Sequence, residues 1–232
     1  MSKMDLKTHY NDLYNRSIEK IGSGNYTTDS LIDVKNDTRL GVTLVIRPSE
    51  TVNKKIQEFL LEVKQIEPEQ YFYPNTDIHI TLMSIISCYN GFDLTAIPLK
   101  EYLHLIQTSI NHIPPFKISF KGITASDSCI IIQGFPESDI INTLRDQLRT
   151  NFKNSNLQQS IDKRYTIQTA HSTVARFKTA LKDPVQLAKL LESYRDFDFG
   201  VFTVNKIEFV CNDWYLKHQK LTKLAEFKLE TP

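Results

Sequence analysis

Apolar residues recur at two spacings along this chain of 232 residues, every three to four in some stretches and every second or continuously in others. The first spacing predicts helices and the second strands. Leu6, Tyr10, Leu13, Tyr14, Ser17, Ile18 and Ile21 form a helical stripe over residues 5–21 that stops before Gly22 and Gly24. Residues 22–38, rich in Gly, Ser, Thr, Asn and Asp, read as a connecting loop. Residues 40–46 read as a strand. Ser49 then suits the N-cap of a helix that turns Val52, Ile56, Phe59, Leu60, Val63 and Ile66 inward and closes before Pro68. Residues 71–74 predict a short aromatic strand or turn, 77–86 a strand, and 99–110 a helix ended by Pro114 and Pro115.

The second half repeats that order of elements. Residues 116–120 and 129–135 read as paired strands, and Ser138 suits the cap of a helix facing Ile140, Ile141, Leu144, Leu148 and Phe152 to a core. A polar loop over 153–163 leads to a strand over 165–177. Asp183 and Pro184 open another helix, and strands are expected near 202–211 and 221–229. Strand, helix, strand, helix in each half is an internal repeat of element order rather than of residue identity.

Chemistry enters at the central strand of each half. Residues 77–82 read Asp-Ile-His-Ile-Thr-Leu, and residues 170–176 read Ala-His-Ser-Thr-Val-Ala-Arg. Each contains His-x-Thr followed by an apolar residue. Successive side chains of a strand alternate between faces, so His79 shares a face with Thr81, and His171 with Thr173. Apolar residues on one face and an imidazole plus a hydroxyl on the other fit a sheet that lines a cleft. On regular alternation Arg176 falls on the face opposite His171, and a bulge would return it to the cleft.

This pair of motifs resembles the 2H phosphoesterase superfamily, which includes bacterial 2′-5′ RNA ligase-like proteins and cyclic nucleotide phosphodiesterases and is defined by two His-x-Thr/Ser-apolar motifs. The resemblance covers most of the chain after about residue 39. Val174-Ala175-Arg176 looks like the family's frequent apolar-x-Arg continuation, whereas Ile78 and Ala170 stand where many members carry Pro. The resemblance implies an α+β, bilobal fold of two pseudo-symmetric lobes, each with a mainly antiparallel sheet and outer helices, with an active-site cleft between them. Residues 1–38 are then an N-terminal helical extension and linker, which either packs outside a lobe or carries Tyr10 or Tyr14 to the cleft as a lid. Residues 39–232 form one domain, with lobes at about 39–114 and 115–232.

Imidazole suits both proton transfers of phosphodiester hydrolysis, because its pKa of about 6.5 leaves both protonation states accessible near neutrality. His79 and His171 are the expected acid and base, in an order the sequence does not decide. Thr81 and Thr173 are the expected donors to the phosphoryl oxygens. Arg176, Tyr73, Tyr89 and Trp214 are candidate substrate contacts, the aromatics as base-stacking surfaces. Lys163 and Arg164, in a polar loop, read as solvated. This scheme needs no metal and no cofactor. His9, His104, His112 and His218 lack partners at a metal-binding spacing and read as surface or packing residues.

Composition narrows the partners. With 28 basic and 27 acidic residues the formal net charge is +1, which gives no footprint for long nucleic acid or a membrane surface and suits a small nucleotide or short oligonucleotide. Three separated cysteines form neither a disulfide framework nor a thiolate metal site. With no apolar leader and no run near ~18 apolar residues, the chain reads as a cytoplasmic monomer. Family members act on 2′,3′-cyclic phosphates, 2′-5′ linkages, ADP-ribose cyclic phosphate and RNA ends. A phosphodiesterase is the leading expectation, and a nucleotide- or RNA-end-binding module without turnover, or an interaction protein with a purely architectural repeat, are its rivals.

Overall fold

The structure is a computed structural model that describes residues 5–230. Five helices and nine strands are described: α1 (Leu6–Gly22), β1 (Leu40–Ile46), α2 (Glu50–Ile66), β2 (Tyr71–Phe72), β3 (Ile80–Tyr89), α3 (Leu99–Ile110), β4 (Phe116–Ser126), β5 (Cys129–Pro136), α4 (Ile140–Lys153), β6 (Ser172–Arg176), α5 (Pro184–Ser193), β7 (Asp198–Val204), β8 (Lys206–Asp213) and β9 (Thr222–Lys228). Two of the three expected caps form, whereas α4 begins at Ile140 with Asp139 rather than Ser138 at its N-cap. Ser49 accepts from the Val52 amide at the start of α2, and Asp183 accepts from the Gln186 amide ahead of Pro184.

All strand pairing is antiparallel, in a four-stranded sheet of order β3-β1-β8-β9 and a five-stranded sheet of order β2-β6-β5-β4-β7. The continuous apolar run of β1 reflects its interior place. Val42, Leu44 and Ile46 join the main core, while Val45 packs with Val210 and Leu216 on the other face. The main core includes residues of both sheets, such as Leu44, Ile80 and Phe209 from one and Phe120, Ile132 and Val174 from the other.

The division of strands differs from a cut near residue 115. Strands β8 and β9, from the end of the chain, join β1 and β3, and β2, from the first half, joins β6. Each sheet therefore holds strands from both halves. The region expected as one strand over 202–211 is two, β7 and β8, broken at Asn205 and placed in different sheets.

The stripe of α1 packs against the second sheet. The Thr124 hydroxyl donates to the Tyr10 carbonyl at 3.2 Å, and Tyr14 hydrogen-bonds Glu192 on α5. Tyr10 and Tyr14 are buried and absent from the cavity walls, so α1 is a packing element rather than a lid. No helix among the described residues is long and apolar enough to cross a membrane.

Candidate functional site

Both motif histidines immediately precede their strands, rather than lying within them, and each ring nitrogen nearest the backbone is held locally. His79 Nδ1 lies 2.6 Å from the Asp77 carbonyl, and His171 Nδ1 lies 2.6 Å from the Thr169 hydroxyl. Asp77 is fixed in turn. Its side chain accepts from the His218 amide at 3.1 Å and from the Thr76 hydroxyl at 2.8 Å. Gly134 lets the second motif approach, since a Cβ there would sit 1.8 Å from the Ala170 carbonyl.

Strand irregularities decide which side chains share the cavity. Ile131 pairs with Thr173 and Ile130 with Ala175, which leaves Val174 as an extra residue in β6. The bulge resets the alternation, so Thr173 and Arg176 both line the cavity while Val174 and Ala175 are buried. Strand β3 slips three times against β1, at Leu82, at Ile85 and at Ser87–Cys88, and Thr81, Ser84 and Ser87 line one wall at intervals of three.

The result is a cavity of about 310 Å³, at the small end of the range for small-molecule sites. His79, Thr81, His171, Thr173, Arg176 and Tyr73 lie at it, and Ser84, Ser87, Ser160, Asn212, Arg164 and Trp214 extend it. Burial pulls both imidazoles down to about 4. Arg47, His171 and Arg176 add to the effect at His79, against a contribution from the Asp77 carbonyl, and Arg145, His9 and Arg176 add to it at His171. Both rings are therefore neutral at neutral pH in the empty cavity. Burial opposes the charge of Arg176, but Tyr73, Cys129 and Asp29 outweigh it and hold the guanidinium above its ordinary value. Cys88, in the wall, is pushed up to about 12, mainly by burial, and is a thiol rather than a nucleophile.

The aromatic candidates divide. Trp214 lines the cavity with Arg164 over its ring at 4.2 Å and Arg39 at 4.8 Å. Arg164 is exposed, as its polar loop predicts, and also forms part of the cavity wall. Tyr73 is 1 % exposed, so its ring offers no stacking face, and its hydroxyl instead accepts from Arg176 Nε at 2.9 Å. Tyr89 is 41 % exposed and outside the cavity lining, with its hydroxyl accepting from Gln158 at 3.1 Å. Tyr89 is the last residue of β3, at the end away from His79.

Sequence reasoning passed over Arg145, which is wholly buried on the inner face of α4. Its guanidinium donates to the Thr81, Leu82 and Thr169 carbonyls at 3.1, 3.0 and 2.9 Å, and so ties both motifs to one side chain. The signal was an arginine amid the apolar positions Ile141, Leu144 and Leu148. Burial lowers its pKa to about 10, which leaves it charged at neutrality. Among the described residues, no three His, Cys, Asp or Glu side chains cluster as metal ligands would.

The model of the AKAP7 2′5′ RNA ligase-like domain matches residues 40–215. No curated protein matches at a significant level. Among solved structures, TT0787 of Thermus thermophilus is 18% identical with a TM-score of 0.59, covering 82% of this chain and 97% of its own. E. coli LigT complexed with 3′-AMP is 15% identical with a TM-score of 0.57, covering 82% and 98%. ATU0111 from Agrobacterium tumefaciens is 16% identical with a TM-score of 0.57, covering 90% and 97%. These likenesses establish a shared two-lobed fold, and with the matched domain they show that this chain belongs to the AKAP7 2′5′ RNA ligase-like domain family, within the 2H phosphoesterase superfamily.

Proposed function

We propose that the protein is a metal-independent phosphodiesterase that hydrolyses a cyclic or 2′-5′-linked phosphodiester in a small nucleotide or short oligonucleotide, with His79 and His171 as general base and general acid. The carrying observation is the convergence of both imidazoles, both threonines and Arg176 on one small cavity. The E. coli relative's structures with 3′-AMP and with phosphate support a nucleotide ligand at this fold.

The hydrogen bonds distinguish the two rings. A carbonyl only accepts, so the Asp77 carbonyl requires a proton on His79 Nδ1, and neutral His79 keeps a bare Nε2. That is the form of a base. Thr169 presents a hydroxyl that can donate to or accept from His171 Nδ1, so His171 can carry its proton on Nε2, as an acid must. In the reaction water attacks phosphorus as its proton passes to His79. The P–O bond to the leaving ribose oxygen breaks as His171 protonates that oxygen. Thr81, Thr173 and Arg176 stabilise the charge developing on the non-bridging oxygens. Bound phosphate raises both imidazole pKa values from about 4, which lets His171 hold the proton that it delivers.

The test is a hydrolysis panel of 2′,3′-cyclic nucleotides, 2′-5′ and 3′-5′ dinucleotides and ADP-ribose cyclic phosphate, with and without EDTA and with the His79→Asn/His171→Asn double variant as control. EDTA-resistant turnover of one class, absent from the variant, is expected. Saturable nucleotide binding without turnover of any class would establish a binding module instead.

A further inference from the structure

The matched domain begins at residue 40, yet the segment before it contacts Arg176 and Tyr215, two residues of the cavity wall. Leaving α1, the chain crosses from one sheet to the other as an anchored strap. The Thr27 amide donates to the Asp127 carbonyl at 2.8 Å, the Asp29 amide donates to the Phe177 carbonyl at 2.7 Å, and Ile32 is buried. Lys178 pairs with Asp33 at 2.9 Å, and Lys217 donates to the Ile32 carbonyl. The strap is thus fixed from both sheets, at Phe177 beyond β6 and at Lys217 beyond β8.

Asp29 sits where these anchors converge. One carboxylate oxygen accepts from the Tyr215 hydroxyl at 2.7 Å, and the other lies 3.6 Å from Arg176 Nη1. Arg176 Nε already donates to Tyr73, and its guanidinium lies 5.5 Å from the Tyr215 ring centre. Two edges of the fork are therefore engaged by protein groups and the aromatic ring packs nearby. A guanidinium is useful to a phosphate when its remaining donors are presented in a fixed plane, because less side-chain freedom is then lost on binding.

We propose that Asp29 is a positioning residue that holds Arg176 in the orientation that receives a phosphoryl group, so that the segment ahead of the matched domain completes its anion site. The inference rests on the proposed reading of the cavity as a phosphate site. Asp29 also carries a negative charge beside the arginine. Its removal strengthens anion binding if charge competition dominates and weakens it if orientation dominates, and the inference is the second.

The experiment is a double-mutant cycle on the full chain with Asp29→Ala, Arg176→Met and their combination, read by calorimetric titration with inorganic phosphate and by kcat and KM on whichever panel substrate is turned over. Asp29→Ala is expected to weaken phosphate binding about tenfold in the wild-type background and to have no further effect beside Arg176→Met, on the scale of couplings between contacting residues. Asp29→Asn, which keeps an acceptor for Tyr215, is expected to fall between. The melting temperature lost with Asp29→Ala should persist beside Arg176→Met, reduced only by the share of the Asp29–Arg176 ion pair, because the Tyr215 contact remains in both backgrounds. Equal weakening of phosphate binding in both backgrounds, or tighter binding by Asp29→Ala, overturns the inference. Turnover by the wild type with no such coupling leaves the phosphodiesterase standing without it. Coupled phosphate binding with no turnover on the panel leaves Asp29's role standing without the phosphodiesterase. A wild type that does not bind phosphate overturns Asp29's role, and turnover then decides the other question.

Discussion

The two His-x-Thr segments carry the same residues on differently supported backbones. The first opens β3, whose one strand neighbour among the described residues is β1, so its outer edge needs donors from elsewhere. Arg145 takes the Thr81 and Leu82 carbonyls there, and the Ser160 amide takes the Ile85 carbonyl at 2.8 Å. The second opens β6, which lies between β2 and β5 and has a ladder on both sides. His79 is held by a carbonyl and His171 by a hydroxyl. One ring is thereby confined to a single neutral tautomer and the other can change its own. In the proposed mechanism two copies of a short motif take opposite proton-transfer roles through what their Nδ1 atoms face.

The largest effects should come from the rings. Replacing either histidine by Asn keeps a hydrogen-bonding group but removes proton transfer, and about a 10²- to 10⁴-fold loss of kcat is expected for each. The double variant should be scarcely worse, as residues acting as a unit are not additive. The pH dependence in steady-state assays sharpens this. The kcat/KM profile reports the empty site, where both pKa values lie near 4. The kcat profile reports the complex, in which phosphate favours imidazolium, so its optimum should lie at higher pH. Full kcat in a folded single variant would break the pairing of the two motifs.

Next come the hydroxyls. Thr81→Ala and Thr173→Ala should each lower kcat by about 10- to 10³-fold with a smaller change in KM, the behaviour of donors aimed at developing charge. Thr169→Val tests the asymmetry itself. Loss of the His171 partner should lower kcat by about tenfold, less than removal of the general acid itself, and move the limb assigned to the acid while leaving that of the base. Movement of both limbs, or of neither, in the pH–rate profile would show that Thr169 does not control the His171 tautomer.

Smaller still are the effects on stability. Arg145→Met leaves three carbonyls without their charged donor and should cost on the order of 3 kcal/mol, read as a lower urea midpoint. The residual activity of that variant reports how far each motif depends on the shared clamp. Both imidazoles have a pKa near 4 in the folded protein and near 6.5 when unfolded. Below pH 6.5 the unfolded chain therefore takes up protons that the folded chain refuses, so their contribution is whole above that value and is lost as pH falls towards 4. The urea midpoint should drop between pH 7 and pH 5, and drop less in the double Asn variant.

Local pattern was enough to locate most elements, because burial of one face imposes periodicity on the residues that provide it. The stripes of α1 through α5, the run of β1 and the two motifs were all legible in this way, whereas the choice between packing and lid for α1 came from its contacts. The residues facing the cavity were legible only as far as regular alternation lasted. Arg176 depended on one extra residue in β6, and Ser84 and Ser87 on slips in β3, and a bulge follows from how a strand fits its neighbour rather than from its own sequence. Assignment of β2, β8 and β9 to sheets was likewise a matter of pairing across long stretches of chain. The same holds for Tyr73, whose ring the core covers, and for Tyr89, which β3 carries past the cavity. Arg145 gave a visible anomaly without a visible purpose, since its three carbonyls lie on segments brought together only by folding. Asp29 gave no signal at all: an acidic residue in a polar loop looks like any other, and the strap's anchors on both sheets alone set its carboxylate beside Arg176.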